Sequence, residues 1–178
     1  MRQKQVTVHS FTNRYNGISK VLTSECGVHS ALEGITPDSL VATATGGDAP
    51  LEIRRYTAIW DTGATNTSIT QKVASECGLI PVGTSVVHHA NGSGTVDVYL
   101  ASIFLPNGVV VPEINVNQAV LKGADVLIGM DIMGLGDFAV SNYKGSTQFS
   151  FRMPSMLHFD FTETQKGRKP GRKNPRRR

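Results

Sequence analysis

The chain has 178 residues, 39% of them hydrophobic and 18% charged, which suits one globular domain with extensions. No apolar run approaches the ~20 residues a membrane-spanning helix needs, and the two cysteines lie too far apart for a metal-type motif, which leaves free thiols as the expectation. The net charge of +4 belongs to one end: residues 166–178 hold eight of the 18 basic residues and no acidic one, leaving 10 basic against 14 acidic residues elsewhere.

In chain order, Met1-Arg2-Gln3-Lys4 runs into a mixed polar segment without the apolar centre of a signal peptide, so a cytoplasmic protein is expected. Gln5 to Phe11 alternates as a strand, Asn16-Gly17 signals a turn, Ile18 to Thr23 reads as a second strand and Val28 to Leu32 as a third. Gly34 to Asp38 reads as a linker. Leu40 to Ala44 and Leu51 to Trp60 form an expected hairpin around residues 45–50. Its second strand ends abruptly in Asp61-Thr62-Gly63-Ala64. A strand that delivers a carboxylate into a tight turn between apolar neighbours is costly unless the carboxylate is paired or used.

Beyond that turn, Thr67 to Ile69 is a short strand. Gln71 to Cys77 is a short helix, with Thr70 as N-cap and Gly78 as stop. Val86 to Leu100 reads as a glycine-rich hairpin with its tip at Asn91 to Gly94. A further hairpin joins Ala101–Leu105 to Val109–Val116 through Pro106-Asn107-Gly108. Val120 to Ile128 is expected to return to the core, and Gly129 to Met133 to start a short helix. There Gly129 allows close approach behind the Asp61 turn. Ala139–Ser141 and Gln148–Met153 pair across Asn142 to Gly145. From Gln165 onward, Pro, Gly and basic residues predict disorder.

Two stretches, Ile59-Trp60-Asp61-Thr62-Gly63-Ala64 and Leu127-Ile128-Gly129-Met130-Asp131, flank the glycine-rich hairpin. Together they resemble the two signatures of retropepsin-like aspartic proteases, over roughly residues 40–154. The likeness is nearest to small bacterial members, in which Leu-Ile-Gly-Met-Asp-Ile-Met runs on into Gly-Asp-Phe. The resemblance implies an all-β, closed-barrel-type acid protease fold with one or two short helices and one lobe per chain. It divides the chain into a strand-rich extension (1–38), a protease domain (39–155) and a basic, disordered tail (156–178). The extension is expected to add packed strands rather than to cover the cleft or build a dimer interface.

The resemblance also implies a chemistry. Two carboxylates facing each other about a water cannot both ionise, so they hold one proton between them. The charged partner takes a proton from the water, the protonated one supports the scissile carbonyl, and neither metal nor organic cofactor takes part. This chain has a single Asp-Thr-Gly. Asp131 lacks the Thr-Gly turn and falls at a structural position of the family. A homodimer with Asp61 from each copy follows, acting on a polypeptide. Carried over, Asp61, Thr62 and Gly63 are the catalytic turn. Ala64, Ile128 and the hairpin residues Ala90, Asn91, Gly92, Ser93 and Gly94 lie against substrate, the hairpin serving as a movable flap. Viral members often carry Asp and Arg where this chain has Thr65 and Met130. The joint replacement leaves no unpaired charge but removes one dimer clamp.

Other readings are weaker. His88 and His89 point to opposite faces of a strand and cannot easily share a metal ion. No nucleophile-elbow motif accompanies the serines. The sequons at Asn66 and Asn91 are read as chance. The alternative to a protease is a non-catalytic dimerisation or peptide-binding module of the same fold. In either case the 166–178 tail, rich in Lys and Arg but without aromatics, could hold nucleic acid through phosphate contacts.

Overall fold

The computed structural model describes residues 7–32, 52–89 and 92–164. The expected linker, the strand at Leu40 to Ala44, the hairpin tip residues Ala90 and Asn91, and the basic tail lie outside these. The described residues form two sheets with short helices. No helix among them is long and apolar enough to cross a membrane.

The larger sheet contains β2 (Leu22–Ser30), β3 (Arg54–Trp60), β4 (Ser68–Ile69), β5 (Pro81–His89), β6 (Gly92–Leu105), β7 (Val109–Gln118) and β8 (Val126–Ile128). Its order is β2-β3-β8-β4-β7-β6-β5, and β2 pairs in addition with β6. Six strands therefore close a hydrogen-bonded ring, β2-β3-β8-β4-β7-β6 and back to β2, with β5 outside it. Gly27 sits where the ring closes, opposite Arg55 on one side and Phe104 on the other. A Cβ there would come within 2.2 Å of the Ile53 side chain, so only glycine fits without displacement.

The smaller sheet, β1-β10-β9, joins β1 (His9–Arg14), β10 (Gln148–Met153) and β9 (Asp137–Ser141), all antiparallel. An aromatic cluster ties it to the larger sheet. Trp60 at the end of β3 stacks on Phe138 at 5.5 Å and meets Phe149 and Phe151 at 5.4 and 5.3 Å, while Phe11 closes from β1 at 5.8 Å. The Trp60 indole N–H is satisfied by Ser24 Oγ at 3.0 Å. A buried aromatic of this kind contributes both area and a directed bond.

Of the local expectations, the capped helix is borne out. Helix α1 spans Gln71–Glu76, Thr70 Oγ1 accepts from the Val73 N–H, and Gly78 takes φ +62°. The Pro106-Asn107-Gly108 turn is also found, with Asn107 and Gly108 both at positive φ, as are helix α2 (Met130–Met133) and the pairing of β9 with β10. Four readings are corrected. Residues 18–32 give one strand, β2, not two, because pairing with β3 from Leu22 to Val28 passes without a gap into pairing with β6 from Gly27 to Ser30. The hairpin arm and its successor are likewise one strand of 14 residues, β6. Finally, Val120 does not return to the core but is 96% exposed, and β8 is limited to Val126–Ile128. The expected first strand is shifted to His9–Arg14. Within the N-terminal segment, β1 pairs with β10, and β2 pairs with β3 and β6.

Candidate active site

β3 carries the chain to Asp61 beside β8, with which it runs parallel, Trp60 opposite Ile128. The Asp61 N–H donates to the Ile128 carbonyl at 3.0 Å, and the turn closes with the Ala64 N–H on the Asp61 carbonyl at 3.1 Å. The Gly63 N–H donates to Asp61 Oδ1 at 2.8 Å. One carboxylate oxygen is thus oriented by the backbone of its own turn, a local bond that short acidic side chains make readily. Asp61, Thr62 and Gly63 are exposed and Ala64 is half-buried.

A second loop clamps this turn from behind. The Met130 N–H donates to the Ala64 carbonyl at 2.9 Å and the Asp131 N–H to the Thr65 carbonyl at 3.1 Å. Thr67 completes the lock: its N–H and hydroxyl both donate to the Asp131 carboxylate at 2.7 Å, and its Oγ1 accepts from the Gly129 N–H at 3.1 Å. Asp131 Oδ1 also accepts from the Ile132 N–H at 2.8 Å. With both its oxygens taken up in this way, Asp131 serves to hold the loop. Gly129 is the point of closest approach: a Cβ there would stand 2.6–2.9 Å from backbone atoms of Asn66 and Thr67.

Asp61 and Thr62 line a cleft of about 410 Å³, together with residues 20–22, Trp60, Phe138 and Val140. None of Gly92, Ser93 and Gly94 lines it; the first two are exposed and the third half-buried on β6. Ile128 is fully buried in the single chain and reaches the turn through its carbonyl. Thr65 is exposed and Met130 45% exposed, so their replacement of a charged pair leaves no charge in the core. Sequence reasoning did not find Lys20, Leu22, Phe138 or Val140. They reach the cleft only through tertiary pairing, and nothing in their local pattern signals it. A larger cavity, about 660 Å³, is lined by Glu25, Arg55 and residues 104–108 among others and holds none of the candidate site residues. Among the described residues no group of three or more His, Cys, Asp or Glu is placed to hold a metal ion.

Residues 49–134 match the family model described as gag-polyprotein putative aspartyl protease, a span that runs from just before the Asp61 turn to the end of the second loop. Solved structures with some likeness include a retropepsin-like aspartic protease from Rickettsia conorii (TM-score 0.43, 10% identity, 85% of this chain and 98% of that one). The simian foamy virus (mac) protease gives a TM-score of 0.38 and 18% identity, with 62% and 89% of the two chains covered. The retroviral protease-like domain of Ddi1 from Leishmania major gives 0.39 and 16%, with 68% and 82% covered. No curated protein matches the chain.

Proposed function

We propose that this chain, similar to the retropepsin-like aspartic proteases through residues 49–134, is an aspartic endopeptidase that works as a homodimer on polypeptide substrates. The observation that carries the reading is the Asp61 turn itself. An exposed carboxylate is held by its own backbone and clamped by a second loop whose acidic residue is fully occupied. A turn locked so heavily around one free acid favours a fixed position for that acid, which is what positioned catalysis requires.

In the dimer, Asp61 from each copy faces the other across a two-fold axis and the pair shares one proton. The ionised member draws a proton from a bound water, which attacks the scissile carbonyl. The protonated member donates to the carbonyl oxygen, and the tetrahedral species then collapses with proton transfer to the leaving amine. No covalent enzyme intermediate forms. Thr62 steadies the paired turns, Gly63 offers its carbonyl to the substrate backbone, Ala64 lines the cleft, and the β5–β6 hairpin, with residues 90–94 at its end, covers the peptide. A polypeptide would lie between the hairpin and the Asp61 turns. The basic 166–178 tail is a further candidate contact, with nucleic acid, through phosphate charge alone.

The test is cleavage of a mixed peptide library at mildly acidic pH by the full chain and by Asp61→Asn. Turnover is expected from the first and none from the second, with unchanged fold by circular dichroism. Turnover surviving in Asp61→Asn sinks the proposal. Peptide binding without turnover over a wide pH range would instead identify a peptide-binding module of the same fold.

A further inference from the structure

We propose that the end of this chain docks on an anionic lipid surface: Met156, Leu157, Phe159 and Phe161 enter the boundary of the bilayer, and the basic run that follows them lies among the charged headgroups. The inference does not depend on the two-carboxylate reading above.

Apolar side chains scattered singly over a surface need no explanation, but a contiguous group does. Four large exposed hydrophobic residues fall within the six positions 156–161, each between 47% and 74% exposed. No other window of six among the described residues holds more than two. The group starts from a fixed base. Ser155 Oγ and the Met156 N–H donate to the Asp137 carboxylate at 2.6 and 2.9 Å, which ties the segment to the first residue of β9. From there the side chains stand in solvent as far as the short helix α3 (Phe161–Thr164). The acid among them, Asp160, is turned back on its own chain, where its carboxylate accepts from the Thr162 N–H and hydroxyl at 2.7 and 2.6 Å.

The basic run comes directly after this group. Residues 155–178 hold eight basic and two acidic side chains, a balance of +6, whereas residues 1–154 hold 10 basic and 12 acidic ones, a balance of −2. A negatively charged surface therefore attracts this end of the chain and not the body. Charge alone does not choose among polyanions, but the apolar group does. A nucleic acid offers phosphates, and its bases offer stacking to Phe159 and Phe161, yet it has no apolar phase for the aliphatic Met156 and Leu157. An anionic bilayer offers both, an acyl boundary for large apolar side chains and a charged layer for Lys and Arg. Stable attachment takes two such signals, and here they are contiguous in the chain.

The experiment is co-sedimentation of the full-length protein with phosphatidylcholine vesicles, alone or with one-third phosphatidylserine. Binding is expected to the mixed vesicles only, and it should fall steeply with salt. Phe159→Ser combined with Phe161→Ser should weaken it at least about tenfold, and a chain ending at Thr164 should lose it. Both phenylalanines are exposed, and unchanged Trp60 fluorescence in the double variant shows that its body is still folded. In Phe159→Trp the new indole should emit at shorter wavelength on the mixed vesicles and be quenched by brominated acyl chains, which neither a phosphate contact nor a protein contact produces. No binding to the mixed vesicles overturns the proposal. So does a double serine variant that binds like the parent, or an indole that brominated chains leave unquenched. Tighter binding to a single-stranded oligonucleotide, weakened by the same serines, also overturns it and assigns this end of the chain to nucleic acid. If the serines instead break up a complex between copies of the parent and leave vesicle binding unchanged, the apolar group is a contact between copies and the proposal falls.

Discussion

At the scale of single residues, the site is a set of close approaches that tolerate little change. Gly129 passes within contact of the Asn66 and Thr67 backbone, and backbone atoms cannot swing aside as a long side chain can. Gly129→Ala should therefore cost about 1–3 kcal/mol, the usual range for overpacking, measured by urea unfolding. It should also lower turnover by loosening the Asp61 turn. Asp137 gives a second residue-scale prediction. It is buried, and Ser155 Oγ, the Met156 N–H and the Arg152 guanidinium hold its carboxyl down from 3.8 to about 2. A carboxyl whose value is depressed on folding stabilises the native state above the unfolded value. That contribution fades as pH falls from 3.8 towards about 2. The parent should be more stable than Asp137→Asn near neutrality, and the gap between their urea midpoints should shrink across that acid window. These residues were unequally legible. Asp61 and Gly129 stood out because a carboxylate after an apolar strand and a glycine before a short helix each imply a physical constraint. Phe138 and Val140 did not, since an alternating β9 looks the same whether its face meets solvent, a core or the Asp61 turn.

At the scale of elements, what the sequence showed well was governed by local chemistry, and what it misplaced was governed by pairing. Thr70 and Gly78 bracket helix α1 as a cap and a stop should, and Thr70→Ala should cost about 1 kcal/mol of stability in thermal or urea unfolding. By contrast, the breaks expected within β2 and β6 are absent. Both strands are continuous because neighbours on each side extend their ladders, and local turn propensity is overridden by those partners. Val120 failed in the opposite direction: an apolar residue in a β-like run was read as buried, yet the chain around Lys122 and Gly123 loops outward before β8 begins. The aromatic cluster is where the two sheets meet. Phe149 is fully buried within it, so Phe149→Ala should cost about 3–5 kcal/mol. Trp60, the sole tryptophan, offers a direct fluorescence readout of that loss.

For the whole molecule, the proposed mechanism, with a single Asp-Thr-Gly turn per chain, predicts an activity that depends on concentration. Turnover per subunit should rise with the square of the dilute protein concentration divided by itself, that is linearly, until dimers predominate, and then level off. A flat profile down to concentrations where sedimentation detects only single chains would contradict the two-copy mechanism. Charge is also uneven at this scale. The excess of acids over bases in residues 1–165 and the basic run after it place opposite signs on one polypeptide. Any affinity for nucleic acid should therefore fall steeply with salt and vanish in a chain ending at Thr164.

The closure of the ring at β2 has a consequence for how the molecule could be controlled. β2 is gripped along both flanks, by β3 and by β6, and Phe11 of the preceding strand is wedged against Trp60. Severing the backbone after Ser30 and releasing β2 would unzip the hoop next to Asp61, so on the proposed reading such a cut would abolish activity.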